Sequence, residues 1–292
     1  MRLTLANRWP RLLLVAIVLI AGGRPLAAAQ GVLFECALAG RAPSYLLATM
    51  HTSDPRVMGV ADAVHGPLRG ARRLVLEMVP DGQAMLTSLL ATLLPRGQTL
   101  DELLDPELYA AARDAMAERG IPAEVTARMQ PWAVAVELSL PAGDRGVFLD
   151  LHLYQVAEEA GVEVVGLESV SEQLGVFGTL SMAQQAALLA HAIKNLPQVP
   201  QQYQAMVSAY AAGDLAGLQQ LADAQQRDLD SDLAQWFEQA MVRERNLRMA
   251  ERLLPWLEAG GAVVAVGALH LVGDSGLLAA AQRAGCRLRA LR

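Results

Sequence analysis

Two short apolar runs at opposite ends of the chain lead into the same kind of segment, and that correspondence constrains the fold more than any other feature. Near the N-terminus, Tyr45-Leu46-Leu47-Ala48 passes through Thr49-Met50 to His51 and the polar loop Thr52-Ser53-Asp54-Pro55. Near the C-terminus, Ala262-Val263-Val264-Ala265-Val266 passes through Gly267-Ala268-Leu269 to His270 and then to Asp274. Runs of this length, without helical periodicity, read as buried strands. A helical pattern follows each (57–68 and 276–284), and then a further strand (73–79 and 287–291). Strand, helix, strand describes a βαβ unit, so a weak internal duplication is expected, with parallel pairing within each unit.

Between the ends the chain reads as helix. Asp105-Pro106-Glu107 opens a helix that runs to Arg119 and stops at Gly120; others are expected at 122–138, 149–160, 182–196, 201–212, 214–227 and 230–259. Pro255 is expected to kink or split the last. A strand at 162–167 interrupts the series. The fold class that follows is α/β. Its core of mostly parallel strands comes from two βαβ-like units at the chain ends plus the 162–167 strand, with a large helical insertion at about 82–160 and 169–259.

The first 29 residues stand apart. Arg2, Arg8 and Arg11 precede the uncharged run Leu12 to Ala21, which Gly22, Gly23 and Pro25 break before Ala27-Ala28-Ala29. This is the pattern of a cleaved signal peptide, and the run is too short for a comfortable membrane span. Residues 30–292 are then one exported α/β domain, periplasmic or secreted and not membrane-spanning. In an oxidising compartment Cys36 and Cys286 either pair, tying the first strand to the last, or stay as two buried thiols. The chain has 24 basic and 30 acidic residues, a net charge of −6. That excludes nucleic-acid binding through a basic face, and two cysteines exclude a Cys-rich zinc module.

Five histidines limit the chemistry: His51, His65, His152, His191 and His270. His51 and His270 lie just past strand C-termini, where open parallel sheets bind ligands. Glu77 ends the strand at 73–79, in an apolar run where a carboxylate must have a partner. Two imidazoles and one carboxylate can hold a divalent ion and leave room for water and substrate. The plainer alternative is that each histidine caps a strand end while Glu77 pairs with Arg73 or another arginine. His65, His152 and His191 read as ordinary helix residues.

Taken together, these segments resemble the TraB/GumN family, related to the Tiki-type metalloproteases. The resemblance rests on Thr49-Met50-His51 with Asp54-Pro55, on Leu76-Glu77, and on Leu149-Asp150 with Ala157. Gly166-Leu167-Glu168, Glu172-Gln173-Leu174, Glu244-Arg245-Asn246 with Met249, and Val266-Gly267-Ala268-Leu269-His270 complete it. It implies a metal-dependent hydrolase using Mn, Co or Zn and acting on a peptide or protein. His51 and His270 would be metal ligands, Glu77 a ligand or general base, and Arg245 and Asn246 catalytic residues facing the same cleft. Arg245 would stabilise a developing oxyanion or a substrate carboxylate, or else form a structural salt bridge to Glu77 or Asp150. Asp150 is expected to begin its helix and Glu168 to end a strand at the cleft. Ala48 stands where the family usually has glycine, which would permit close backbone approach or positive φ.

Two other functions compete with hydrolysis. One is a binding protein that captures a peptide, a haem or a metal, with Met182, Met206, Met241 and Met249 lining a groove. The other is an accessory role in exopolysaccharide or envelope assembly, although aromatic residues amount to only 4% and form no sugar-binding platform.

Overall fold

The computed structural model describes residues 31–144 and 146–292, so the expected leader at 1–29 lies outside the described residues. The strands are β1 (Leu33–Ala37), β2 (Ser44–Thr49), β3 (Arg73–Leu76), β4 (Glu163–Gly166), β5 (Ala262–Gly267) and β6 (Arg287–Ala290). They form one mixed sheet in the order β4-β3-β5-β2-β1-β6. The pairs β2–β5, β5–β3 and β3–β4 are parallel; β1 runs antiparallel to both β2 and β6.

The chain ends do build the sheet, but not by parallel pairing within each unit. β5 lies between β2 and β3, so the two units interleave. The reason is burial. Every residue of β5 is buried, which demands a central position covered on both faces. β1 is antiparallel because only residues 38–43 separate it from β2, too few for a crossover connection. The outer strands β4 and β6 are largely exposed and carry Glu163, Arg287 and Arg289, charges that discourage edge-to-edge pairing. Cys36 in β1 and Cys286 just before β6 form a disulfide, with Cα atoms 5.2 Å apart.

Two expected helices are divided. The 57–68 pattern becomes Pro55–Met58 and Ala61–Arg69. The 122–138 pattern becomes Ala123–Thr126 and Pro131–Ser139, because Pro131 forces Gln130 into an extended conformation. Pro255 does not split its helix: Glu244–Ala259 runs through it, and a π-helical segment, Phe237–Arg243, lies just before. Pro255 sits near the helix end, where Gly260 and Gly261 (φ +71° and +72°) turn the chain into β5. A Cβ at Gly260 would lie 2.8 Å from the Ala42 carbonyl oxygen.

Helices Pro131–Ser139, Met182–Asn195, Val199–Ala211 and Leu215–Gln226 face the C-terminal ends of β2 and β5 across a cleft. Among the described residues, no single helix is long and apolar enough to cross a membrane.

Candidate active site

Strand register alone brings the candidate residues together. Thr49 pairs with Gly267, and Leu76 pairs with both Ala265 and Gly166. The residues that follow each strand therefore emerge side by side: His51 after β2, Glu77 after β3, Glu168 after β4 and His270 after β5. His270 belongs to a single helical turn, Ala268–Leu271, and is buried.

Glu77 is the hub. Its Oε1 accepts from the Gly267 backbone N–H at 2.6 Å, and its Oε2 accepts from Gln173 Nε2 at 3.0 Å and Arg245 Nη2 at 2.9 Å. Arg245 is fully buried and also donates to Glu168 Oε2 through Nε (2.8 Å) and Nη2 (2.6 Å), while Arg248 donates to Glu168 Oε1 at 2.6 Å. Arg245 is thus a bridge between two buried carboxylates, the salt-bridge role rather than the oxyanion role. Burial pushes the Glu77 carboxyl up, but the charges of His270, Arg245 and His51 outweigh it and hold it at about 2. Burial also lowers His270 to about 4, so near neutrality that imidazole is uncharged and the Arg245 pair keeps Glu77 ionised.

Two histidine–carboxylate pairs result. His270 Nε2 lies 3.9 Å from Glu77 Oε1, and His51 Nε2 lies 3.5 Å from Asp150 Oδ2. Asn246 places its Oδ1 2.6 Å from His270 Nδ1, so Nδ1 carries the proton and Nε2 presents its lone pair toward Glu77. Asp150 lies in the first turn of its helix, as expected. As the second residue of Leu149–Ala160 it accepts a hydrogen bond from Thr49 Oγ1 at 2.9 Å, and its buried Oδ2 has no hydrogen-bond partner. Desolvation raises its pKa. The Phe148 ring meets His51 edge-on, centroids 5.1 Å apart.

The donor chemistry suits a divalent cation: two imidazole nitrogens, a carboxylate oxygen on Glu77 and a buried oxygen on Asp150 that accepts no hydrogen bond. Among the described residues, no three His, Cys, Asp or Glu side chains form a closed metal site; the ligating groups stand as two pairs. Further polar atoms of the same network are buried without partners: Arg245 Nη1, Asn246 Nδ2 and Gln173 Oε1.

Above the pairs lies a cavity of about 220 Å³, reached by His51 and His270 and walled mainly by apolar side chains such as Met50, Leu140, Met206 and Leu269. Met241 and Met249 are core residues, leaving Met206 as the one of the four expected groove methionines that lines the cavity. Arg245, Asn246 and Glu168 are buried behind the cleft and support it without lining it. His191 does line it, with its Nε2 3.0 Å from Asn195 Nδ2, and so does Tyr203, whose hydroxyl lies 2.6 Å from Thr52 Oγ1. Sequence reasoning assigned neither to the site. The His191/Asn195 spacing of four residues on one helix was the available signal. Ala48 needs no glycine freedom: it lies in β2, no described non-glycine residue has positive φ, and its carbonyl accepts from the buried Tyr210 hydroxyl at 2.7 Å.

The chain is 26% identical to Metalloprotease TIKI1 of Danio rerio, an alignment covering 83% of this chain and 60% of that protein's length. No solved structure matches. The residues that meet at the strand ends all lie within the span matched by one family model, residues 33–290, and the chain belongs to the TraB/PrgY/gumN family.

Proposed function

We propose that this protein is an exported metal-dependent hydrolase that cleaves peptide bonds. The observation that carries the reading is the pair of histidine–carboxylate contacts, His270–Glu77 and His51–Asp150, on one strand edge at the floor of an apolar cleft. Family membership and the distant likeness to a protein named as a metalloprotease support it.

His51, His270 and Glu77 are the residues that would hold the ion. When bound, a divalent metal acidifies water and polarises a carbonyl. The chain's own residues do the rest. Asn246 fixes the His270 ring so that Nε2 faces the site. Arg245, Gln173 and the Gly267 amide hold Glu77 in a single orientation. Asp150, with its raised pKa and its Oδ2 3.5 Å from His51 Nε2, is suited to take up and return a proton there. The apolar wall excludes bulk water and favours uncharged, hydrophobic segments of a substrate.

The test is incubation of purified protein and a divalent metal with a peptide mixture, read by mass spectrometry. New peptide termini are expected with the wild type and not with His51→Ala or His270→Ala. Hydrolysis retained in both variants overturns the proposal. Stoichiometric retention of intact peptide with no product would instead favour capture without turnover.

A further inference from the structure

Outside the strand-end site, two histidines from different helices meet. His65, in helix Ala61–Arg69, and His152, in helix Leu149–Ala160, bring their Nε2 atoms to 3.0 Å, with ring centroids 5.3 Å apart and the planes tilted by 53°. Neither lines the cleft over His51 and His270. Asp62, one helical turn before His65, has its Oδ1 3.9 Å from His65 Nδ1. A carboxylate there favours the proton on Nδ1 and leaves the His65 Nε2 lone pair facing His152, the arrangement that orients metal-binding imidazoles. Burial and then the neighbouring His65 hold the His152 pKa below its ordinary value, against the opposing charges of Asp62 and Glu159, so the ring stays neutral and keeps a lone pair for a metal ion.

The spacing has the right size for a shared ion. With zinc–nitrogen bonds of about 2.05 Å, nitrogens 3.0 Å apart subtend about 94° at the ion, and a tetrahedral angle needs only about 0.3 Å of opening. Solvent can supply the remaining ligands, since the His65 side chain is 26% exposed and Asp62 is 90% exposed.

We infer that His65 and His152 form a second cation site, selective for imidazole-seeking ions of the zinc, nickel or copper class, with Asp62 orienting His65. The alternative occupant of the same geometry is a single N–H···N hydrogen bond between two neutral rings. The ligand set is all imidazole, so Zn²⁺ should bind and Mg²⁺ or Ca²⁺, which take oxygen ligands, should not.

Metal-stripped protein titrated calorimetrically with ZnCl₂ tests the inference. His65→Gln is expected to lose one zinc equivalent or to weaken it at least tenfold, whereas a His51→Gln/His270→Gln variant keeps that equivalent. The second variant separates this site from the strand-end site, so either can fail alone. Imidazole ¹⁵N spectra of the wild type need no substitution: on adding Zn²⁺, the Nε2 resonances of His65 and His152 are expected to shift together while MgCl₂ leaves them in place. An isotherm for His65→Gln identical to wild type, or Nε2 resonances that zinc does not move, overturns the inference.

Discussion

The side-chain oxygen of Asn246 lies 2.6 Å from Nδ1 of His270, and through that contact a residue outside the cleft decides which imidazole nitrogen faces Glu77. Both side chains are buried, so no water competes for the bond. Asn246→Ala removes the acceptor and frees the ring to adopt the other tautomer. Supporting contacts of this kind typically matter by about 10–100-fold in metal affinity or activity. The expected result is a loss of that size in peptide hydrolysis, together with altered ¹⁵N shifts of His270. Asn246→Asp keeps an acceptor and is expected to keep the Nδ1-protonated tautomer. Unchanged His270 shifts in Asn246→Ala would show that the contact does not set the ring.

Arg245 neutralises Glu77 and Glu168 from a fully buried position. Arg245→Met therefore strands buried carboxylates, although Arg248 still reaches Glu168. Breaking a buried pair from one side costs about 3–5 kcal/mol. A fall of that order is expected in urea unfolding. Arg245→Lys is expected to recover little, because one ammonium cannot reproduce the guanidinium fork that binds both carboxylates. A lysine variant as stable as the wild type would show that charge alone suffices.

The strand ends were legible because they are local. A β-branched run followed by small-x-x-His marks β5 and His270, and the apolar company of Glu77 marks it as a buried carboxylate. What the residues alone could not reveal was distance across the chain. Nothing near Gln173 indicates that it donates to Glu77, and nothing near Asp150 indicates His51, because both contacts depend on sheet order. Sheet order is hidden for the same reason: local periodicity identifies β2, β3 and β5 as strands, but only burial of β5 on both faces places it between the other two. His191 was passed over because a histidine within a helix looks alike whether it faces solvent or a cleft.

Stability is expected to fall in acid, in two stages. His270 titrates near 4 in the folded chain against 6.5 unfolded, so the unfolded chain takes up its proton first and stability declines as pH falls from about 6.5 to 4. Glu77 titrates near 2 against 4.5, so its contribution is complete above about 4.5 and is lost as pH falls to 2. Glu172, also lowered to about 2 by Arg252, acts in the same direction as an exposed and therefore weaker pair. Asp150, whose pKa is raised, works against them. In thermal melts of metal-free protein, His270→Gln should shrink the upper stage, to which His152 and His191, also lowered by burial, contribute, and Glu77→Gln the lower. A melting temperature constant from pH 7 to 3 would contradict both assignments.

The disulfide ties the exposed edge strand β6 to β1, whose Leu33, Phe34 and Cys36 are buried in the core. β6 is an edge strand with exposed residues, and it pairs only with β1 in the described sheet. The Cys36–Cys286 bond spans 250 residues of sequence, so reducing it releases a very long loop in the unfolded chain. Losing such a bond costs about 2–5 kcal/mol. Cys36→Ala/Cys286→Ala, or treatment with a thiol reductant, is therefore expected to lower the melting temperature. Amide exchange should locate the loss first in β6 and the adjoining edge of β1. The strand-end site lies on the other side of β2, held by β5 and β3, so its histidine contacts should survive below the new melting temperature. Equal loss of exchange protection in β5 would mean that the sheet unfolds as one unit, and that the bond secures the site as well as the edge.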